Sequence, residues 1–142
     1  MAKRQESTVT TGSTVENAGP LTRKVLEYAE AIRRLVPSAK APADWAPLAE
    51  FVAVADFQRV GTFLEVQNWQ QYTEMLTKWA AGISAFETPL RRVSELPGLV
   101  YFEVEERHHV GEDVHVVNSM TVFEFNDEGL IRHLDVYLQQ PR

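Results

Sequence analysis

At 142 residues the chain is long enough for one compact core and too short for two comfortable domains. Its composition, 44% hydrophobic and 24% charged, is that of an ordinary globular protein, and the lack of cysteine excludes disulfides and thiolate metal sites. A net charge of −6 with scattered basic residues argues against a phosphate-binding footprint, and so against nucleic acid as a partner.

Residues 1–19 are rich in Thr, Ser, Gly and Glu and carry little to bury, which predicts a flexible tail ahead of a single domain over 20–142. The basic start lacks the apolar middle of a secretory signal, and no apolar run reaches the length of a membrane span. That start, without a signal, favours the cytoplasm. Leu21, Val25, Tyr28, Ile32 and Leu35 recur at three and four, one stripe of an amphipathic helix that Pro37 ends. Asp44 can cap a short second helix through Trp45, Leu48 and Phe51.

Val52 to Gly61 is the first strand candidate. Asn68 and Gln71 form a capping box for a third helix, with Trp69, Tyr72, Leu76 and Trp79 as its buried stripe. After Phe86 the period becomes alternating. Pro89–Leu96, Leu99–His109, Val114–Asn126 and Leu130–Gln139 read as four strands, separated by Pro-Gly and by Gly- and Asn-rich turns. Helices followed by an antiparallel meander give an α+β fold, with the helices on one face of a curved sheet.

Strand parity divides the charged stretch Tyr101–Val110. Phe102, Val104, Glu106 and His108 face the helices; Glu103, Glu105, Arg107 and His109 face away, where Arg91 and Arg92 offer ordinary surface partners. A turn centred between Gly111 and Glu112 sets Glu106 opposite Val117 and His108 opposite His115. The same register sets Val104 against Ser119 and Phe102 against Thr121. A carboxylate on an apolar face must find partners or take up a proton, so Glu106 is a functional candidate, with a structural carboxyl as the alternative. Glu106, His108 and His115 also form a candidate N,N,O metal set, although their spacing matches no stringent motif, and no metal or cofactor is assigned. On the outer face Val116, Met120 and Val122 alternate with the inner apolar row, which predicts a covered face and a homodimer.

The order of elements, with E-Y-A-E-A-I in the first helix and T-V-F-E-F-N-D-E-G-L-I-R-H-L-D-V-Y-L at the end, resembles the nuclear transport factor 2-like superfamily. Within it, the ketosteroid isomerase and SnoaL-like polyketide cyclase group looks nearest. The resemblance implies a cone-shaped, strongly curved, mostly antiparallel sheet wrapped on three N-terminal helices. It places Tyr28 where ketosteroid isomerases carry an oxyanion-donating tyrosine, and Thr121 at their second donor. Arg59 falls where they place an aspartate base, so that base is replaced. Limonene epoxide hydrolases are more distant relatives with an Asp–Arg–Asp set. Glu106 matches one acid, but Val104 and Val136 stand at the other two positions.

Two functions follow as expectations. One is an enzyme of proton transfer, of isomerase, cyclase, dehydratase or hydrolase type, on a small apolar carbonyl or hydroxy compound. Glu106 and His108 would carry the acid–base work, and Tyr28 with Ser119 or Thr121 would hold an oxyanion. Arg59 would pair with Glu106 or hold a substrate carboxylate, while Phe57, Val104, Phe123 and Val136 would line the chamber. The other is a non-catalytic ligand-binding or dimeric assembly module of the same fold.

Overall fold

The computed structural model describes residues 8–11 and 18–141. Three helices, α1 (Pro20–Leu35), α2 (Ala46–Ala49) and α3 (Trp69–Ala81), lie against a mixed sheet that does not close. Its strands are β1 (Thr8–Thr11), β2 (Gln58–Val60), β3 (Val66–Gln67), β4 (Ala85–Glu87), β5 (Leu90–Leu96), β6 (Leu99–Val110), β7 (Asp113–Phe125) and β8 (Ile131–Gln139). They run in the order β1-β5-β6-β7-β8-β2-β3, with β4 also paired to β6. Among the described strand pairs only β2 and β8 are parallel; the remaining pairs are antiparallel, as the meander predicts.

Local chemistry explains the elements that position the cavity. Asn68 Oδ1 accepts from Gln71 N–H and Gln71 Oε1 from Asn68 N–H, both at 2.9 Å, so the expected capping box starts α3. Helix α1 opens on Pro20 behind Gly19, and one of its free N-terminal N–H groups is met from the sheet. Glu95 Oε1 accepts from both Thr22 N–H and Thr22 Oγ at 2.7 Å. The β6–β7 turn pairs Val110 with Asp113, and Gly111 takes the left-handed φ of 59° that this tight turn requires. That turn sets the register along the whole hairpin. Glu106 faces Val117, His108 faces His115, Val104 faces Ser119 and Phe102 faces Thr121, as parity demands.

The core lies between the helices and the inner sheet face, where Val25, Trp45, Leu48, Val100 and Ile131 are fully buried. Each such aliphatic side chain stabilises the fold by about 1.5–3 kcal/mol of transfer free energy. Among the described residues no helix is long and apolar enough to cross a membrane.

Three regions differ from expectation. Most of the tail expected over 1–19 lies outside the described residues, but within it Thr8–Thr11 pair antiparallel with β5, a role suited to the β-branched run Thr-Val-Thr-Thr. The strand expected over Val52–Gly61 is broken: Val52 bridges Ile131, Val54–Asp56 coil into a 3-10 turn, and only Gln58–Val60 continue as β2. Val54 and Asp56 are exposed there, so alternation has no buried face to satisfy. Short β3 and β4 carry two and three residues, too few for a periodic signal.

Candidate active site

Between α1, α3 and the inner faces of β6, β7 and β8 lies a cavity of about 480 Å³. Its wall is mainly apolar, with Ile32, Met75 and Leu76 from the helices and Phe102, Val117 and Leu138 from the sheet. That size and lining suit a small organic ligand oriented by a few polar groups. The polar groups form two stations at different heights along the strands.

The first station is on β6. Glu106 and His108 are two residues apart, so the pleat points both inward, and their side chains are less than one-fifth exposed (19% and 18%). His108 Nε2 lies 2.9 Å from Glu106 Oε1, and Trp79 on α3 donates its indole N–H to His108 Nδ1 at 3.1 Å. Phe86, opposite His108 in the β4–β6 register, packs against both rings at 4.7 Å from Trp79 and 5.0 Å from His108. Glu106 thus finds the partner that a carboxylate on an apolar face requires. No protein group among the described residues is bonded to its Oε2.

The second station spans α1, α3 and β2. The buried hydroxyls of Tyr28 and Tyr72 are 2.8 Å apart. Tyr28 packs edge-on against Phe123, and the Arg59 guanidinium lies 5.6 Å above the Tyr72 ring. Burial raises the Tyr28 phenol well above its ordinary pKa, and the neighbouring Tyr72 adds to this while Arg59 opposes it. Burial also raises Tyr72, against the lowering effects of the Tyr28 hydrogen bond and the Arg59 charge; the Glu106 charge adds a smaller upward push. Both phenols therefore remain hydrogen-bond donors at neutral pH. Two hydroxyls sharing one hydrogen bond leave one O–H to donate onward.

Register measures the separation. Arg59 aligns with Leu134, and Leu134 with Phe123, whereas Glu106 aligns with Val117. Phe123 and Val117 are six residues apart on β7, about 20 Å of extended strand at ~3.3 Å per residue. Sheet curvature and long side chains shorten the path through the cavity, and Tyr72 feels the charges of both Arg59 and Glu106. Ser119 and Thr121, paired with Val104 and Phe102, sit on the wall between the stations.

The structure brings Tyr28, Arg59, Val104, Glu106, His108, Ser119, Thr121, Phe123 and Val136 onto one cavity. Phe57 is not on its wall; it is buried in the aromatic core, stacked on Tyr72 at 5.5 Å and edge-on to Trp69 at 5.3 Å. The break ahead of β2 turns Phe57 into that core. Arg59 does not pair with Glu106; its Nη1 donates to Gln67 Oε1 at 2.9 Å across the β2–β3 hairpin, which holds the guanidinium at its own end. His115 lines the cavity opposite His108, yet among the described residues no three His, Asp or Glu side chains are arranged to hold a metal ion. Tyr72 and Trp79, which periodicity assigned to plain core, also line the cavity. Their polar atoms were the available signal, since a buried phenol or indole must find a partner.

Solved structures of similar shape place this fold. A protein from Shewanella putrefaciens assigned to the SnoaL-like polyketide cyclases superposes with a TM-score of 0.68 at 10% identity, over 86% of this chain and 81% of that one. A nuclear transport factor 2-like protein from Anabaena variabilis gives 0.69 at 13% identity, over 92% and 97%. A protein with a ketosteroid isomerase-like fold from Catenulispora acidiphila, in complex with trimethylamine, gives 0.62 at 16%, over 80% and 83%. No family model and no curated protein matches the chain. The fold is the α+β fold seen in these nuclear transport factor 2-like, SnoaL-like and ketosteroid isomerase-like structures.

Proposed function

We propose that the protein is an enzyme of proton transfer, acting on a small, largely apolar carbonyl or hydroxy compound bound between helices and sheet. The observation that carries this reading is Glu106: an acid on an apolar cavity wall, held at one oxygen by His108 and free of protein partners at the other. In the step envisaged, Glu106 Oε2 takes a proton from an acidic C–H or O–H of the substrate. The electron pair moves through the substrate to its carbonyl oxygen, which accepts the spare O–H of the Tyr28–Tyr72 pair. A conjugated substrate, with its acidic position removed from its carbonyl, can touch both stations at once. Return of the proton elsewhere gives isomerisation, and loss of a hydroxyl gives dehydration; the SnoaL-like and ketosteroid isomerase-like neighbours fit such chemistry by fold alone.

The test compares wild type with Glu106→Gln against conjugated enones, lactones and hydroxyketones, by binding and by product analysis. Glu106→Gln should bind the same compounds and lose about 10²–10⁴-fold in turnover. Equal turnover by both proteins would sink the acid–base reading and leave a ligand-binding module.

The reading includes a homodimer through the outer sheet face, supported by exposed Val114, Val116 and Tyr137 on adjacent strands β7 and β8.

A further inference from the structure

An indole nitrogen donates hydrogen bonds and accepts none. The Trp79 N–H, 3.1 Å from His108 Nδ1, therefore meets a lone pair there, and the single N–H of the neutral imidazole is on Nε2, 2.9 Å from Glu106 Oε1. The opposite tautomer would fail at both contacts. Nδ1–H would meet the indole N–H donor to donor, and the Nε2 lone pair would meet the carboxylate acceptor to acceptor.

We propose that Trp79 is a positioning residue, selecting by its N–H the Nε2–H tautomer of His108 that holds Glu106 as an oriented carboxylate. The catalytic consequence rests on Glu106 being the base; the tautomer itself does not. Three observations make the contact more than a chance approach. Trp79 and His108 are 29 residues apart and on different elements, so helix–sheet packing holds the geometry. The indole stands edge-on to the imidazole, with ring centroids 5.8 Å apart and planes at 82°. Phe86 braces both rings and limits rotation of either.

The arrangement also reassigns His108. With Nδ1 accepting from Trp79 and Nε2–H donating to Glu106, the ring has no lone pair left for a substrate proton. His108 orients the base and does not share its task. This division of labour joins α3 to β6 through one chain of two hydrogen bonds, and sets the direction from which Glu106 Oε1 is held.

The experiment replaces Trp79 in the full chain with benzothienylalanine, which keeps the bicyclic shape and puts sulfur where the N–H was. Imidazole nitrogen NMR reads the tautomer, with the His108 signals assigned by their loss in His108→Gln. Wild type should show Nε2 protonated and Nδ1 bare, and the benzothienyl protein should show mixed tautomers. For a substrate turned over by wild type, kcat should fall about tenfold with KM unchanged, the loss of about one oriented hydrogen bond. An Nδ1–H ring in wild type, or an unchanged tautomer in the variant, overturns the proposal. Undiminished turnover in Glu106→Gln would instead remove the base while leaving the tautomer result standing.

Discussion

Three acid–base contacts are made by five consecutive residues of β6, Glu105 to His109, and they divide by face. On the inner side Glu106 and His108 meet at 2.9 Å; on the outer side Arg107 meets Glu105 at 2.6 Å, and His109 meets Glu87 on β4 at 2.6 Å. By distance alone the outer contacts look at least as good. The outer Arg107 and Glu105 side chains are 43% and 33% exposed, so water competes for every atom and the pair resembles many surface ion pairs. Packing of the less exposed Glu106–His108 pair against Trp79 and Phe86 reduces that competition, and the free oxygen of Glu106 lies at the cavity wall. Contact distance thus does not separate the two faces; exposure does.

That contrast can be broken experimentally. The largest expected effect is the loss of 10²–10⁴-fold in turnover for Glu106→Gln, roughly the contribution of a general base, with ligand binding retained. Tyr72→Phe comes next: removing one hydroxyl of the donor pair should lower kcat on the order of 10²-fold, measured on the same substrate.

The same phenols carry a pH signature. Both are raised on folding, so the folded state keeps its protons where the unfolded chain begins to lose them. Below the ordinary phenol range they contribute nothing to pH dependence. Above it, stability should fall by about 1.4 kcal/mol per pH unit for each phenol, so Tyr72→Phe should show half the slope that the two phenols give together. Denaturant melts from neutral to alkaline pH would show it, and an unchanged slope in Tyr72→Phe would refute the assignment.

On the outer face the effects should be of a different kind. Tyr137→Glu puts a charge on a residue that is 56% exposed, and should convert a dimer to a monomer in sedimentation while sparing ligand binding. A wild-type protein that sediments as a monomer rules out that use of the face. Smallest of all is Arg107→Ala, which should cost about 0.2–1 kcal/mol in a denaturant melt and leave turnover unchanged. A loss comparable to that of Glu106→Gln would erase the distinction between the two faces.

Much of this partition is legible in the residues. Alternation along Tyr101–Val110, with a turn at Gly111–Glu112, separates Glu106 and His108 from Glu105, Arg107 and His109 and gives the cross-strand partners one by one. The Asn68–Gln71 box marks the start of α3, and the pairing of Glu103 with Arg91 and Arg92 follows from its side of the strand. Other features are not legible. Tyr72 and Trp79 lie on a helical stripe whose spacing says that they are buried, and nothing in that spacing says what their polar atoms meet. Phe57 precedes a strand too short to carry a pattern, so parity gives no side for it. The β2–β3 hairpin has the same difficulty, and with it the Gln67 that captures Arg59.

The sequence by itself determined the sheet's inner and outer rows, the turns that lock its register and the helix that begins at Asn68, because these depend on neighbours within a few residues or across a tight hairpin. Only the tertiary structure decided which helix atoms meet which row. Tyr28 reaches Tyr72 across 44 residues and Trp79 reaches His108 across 29, through the rotation and height of α1 and α3 over the sheet. Those are set by the packing of many apolar side chains at once, a sum to which no local spacing has access.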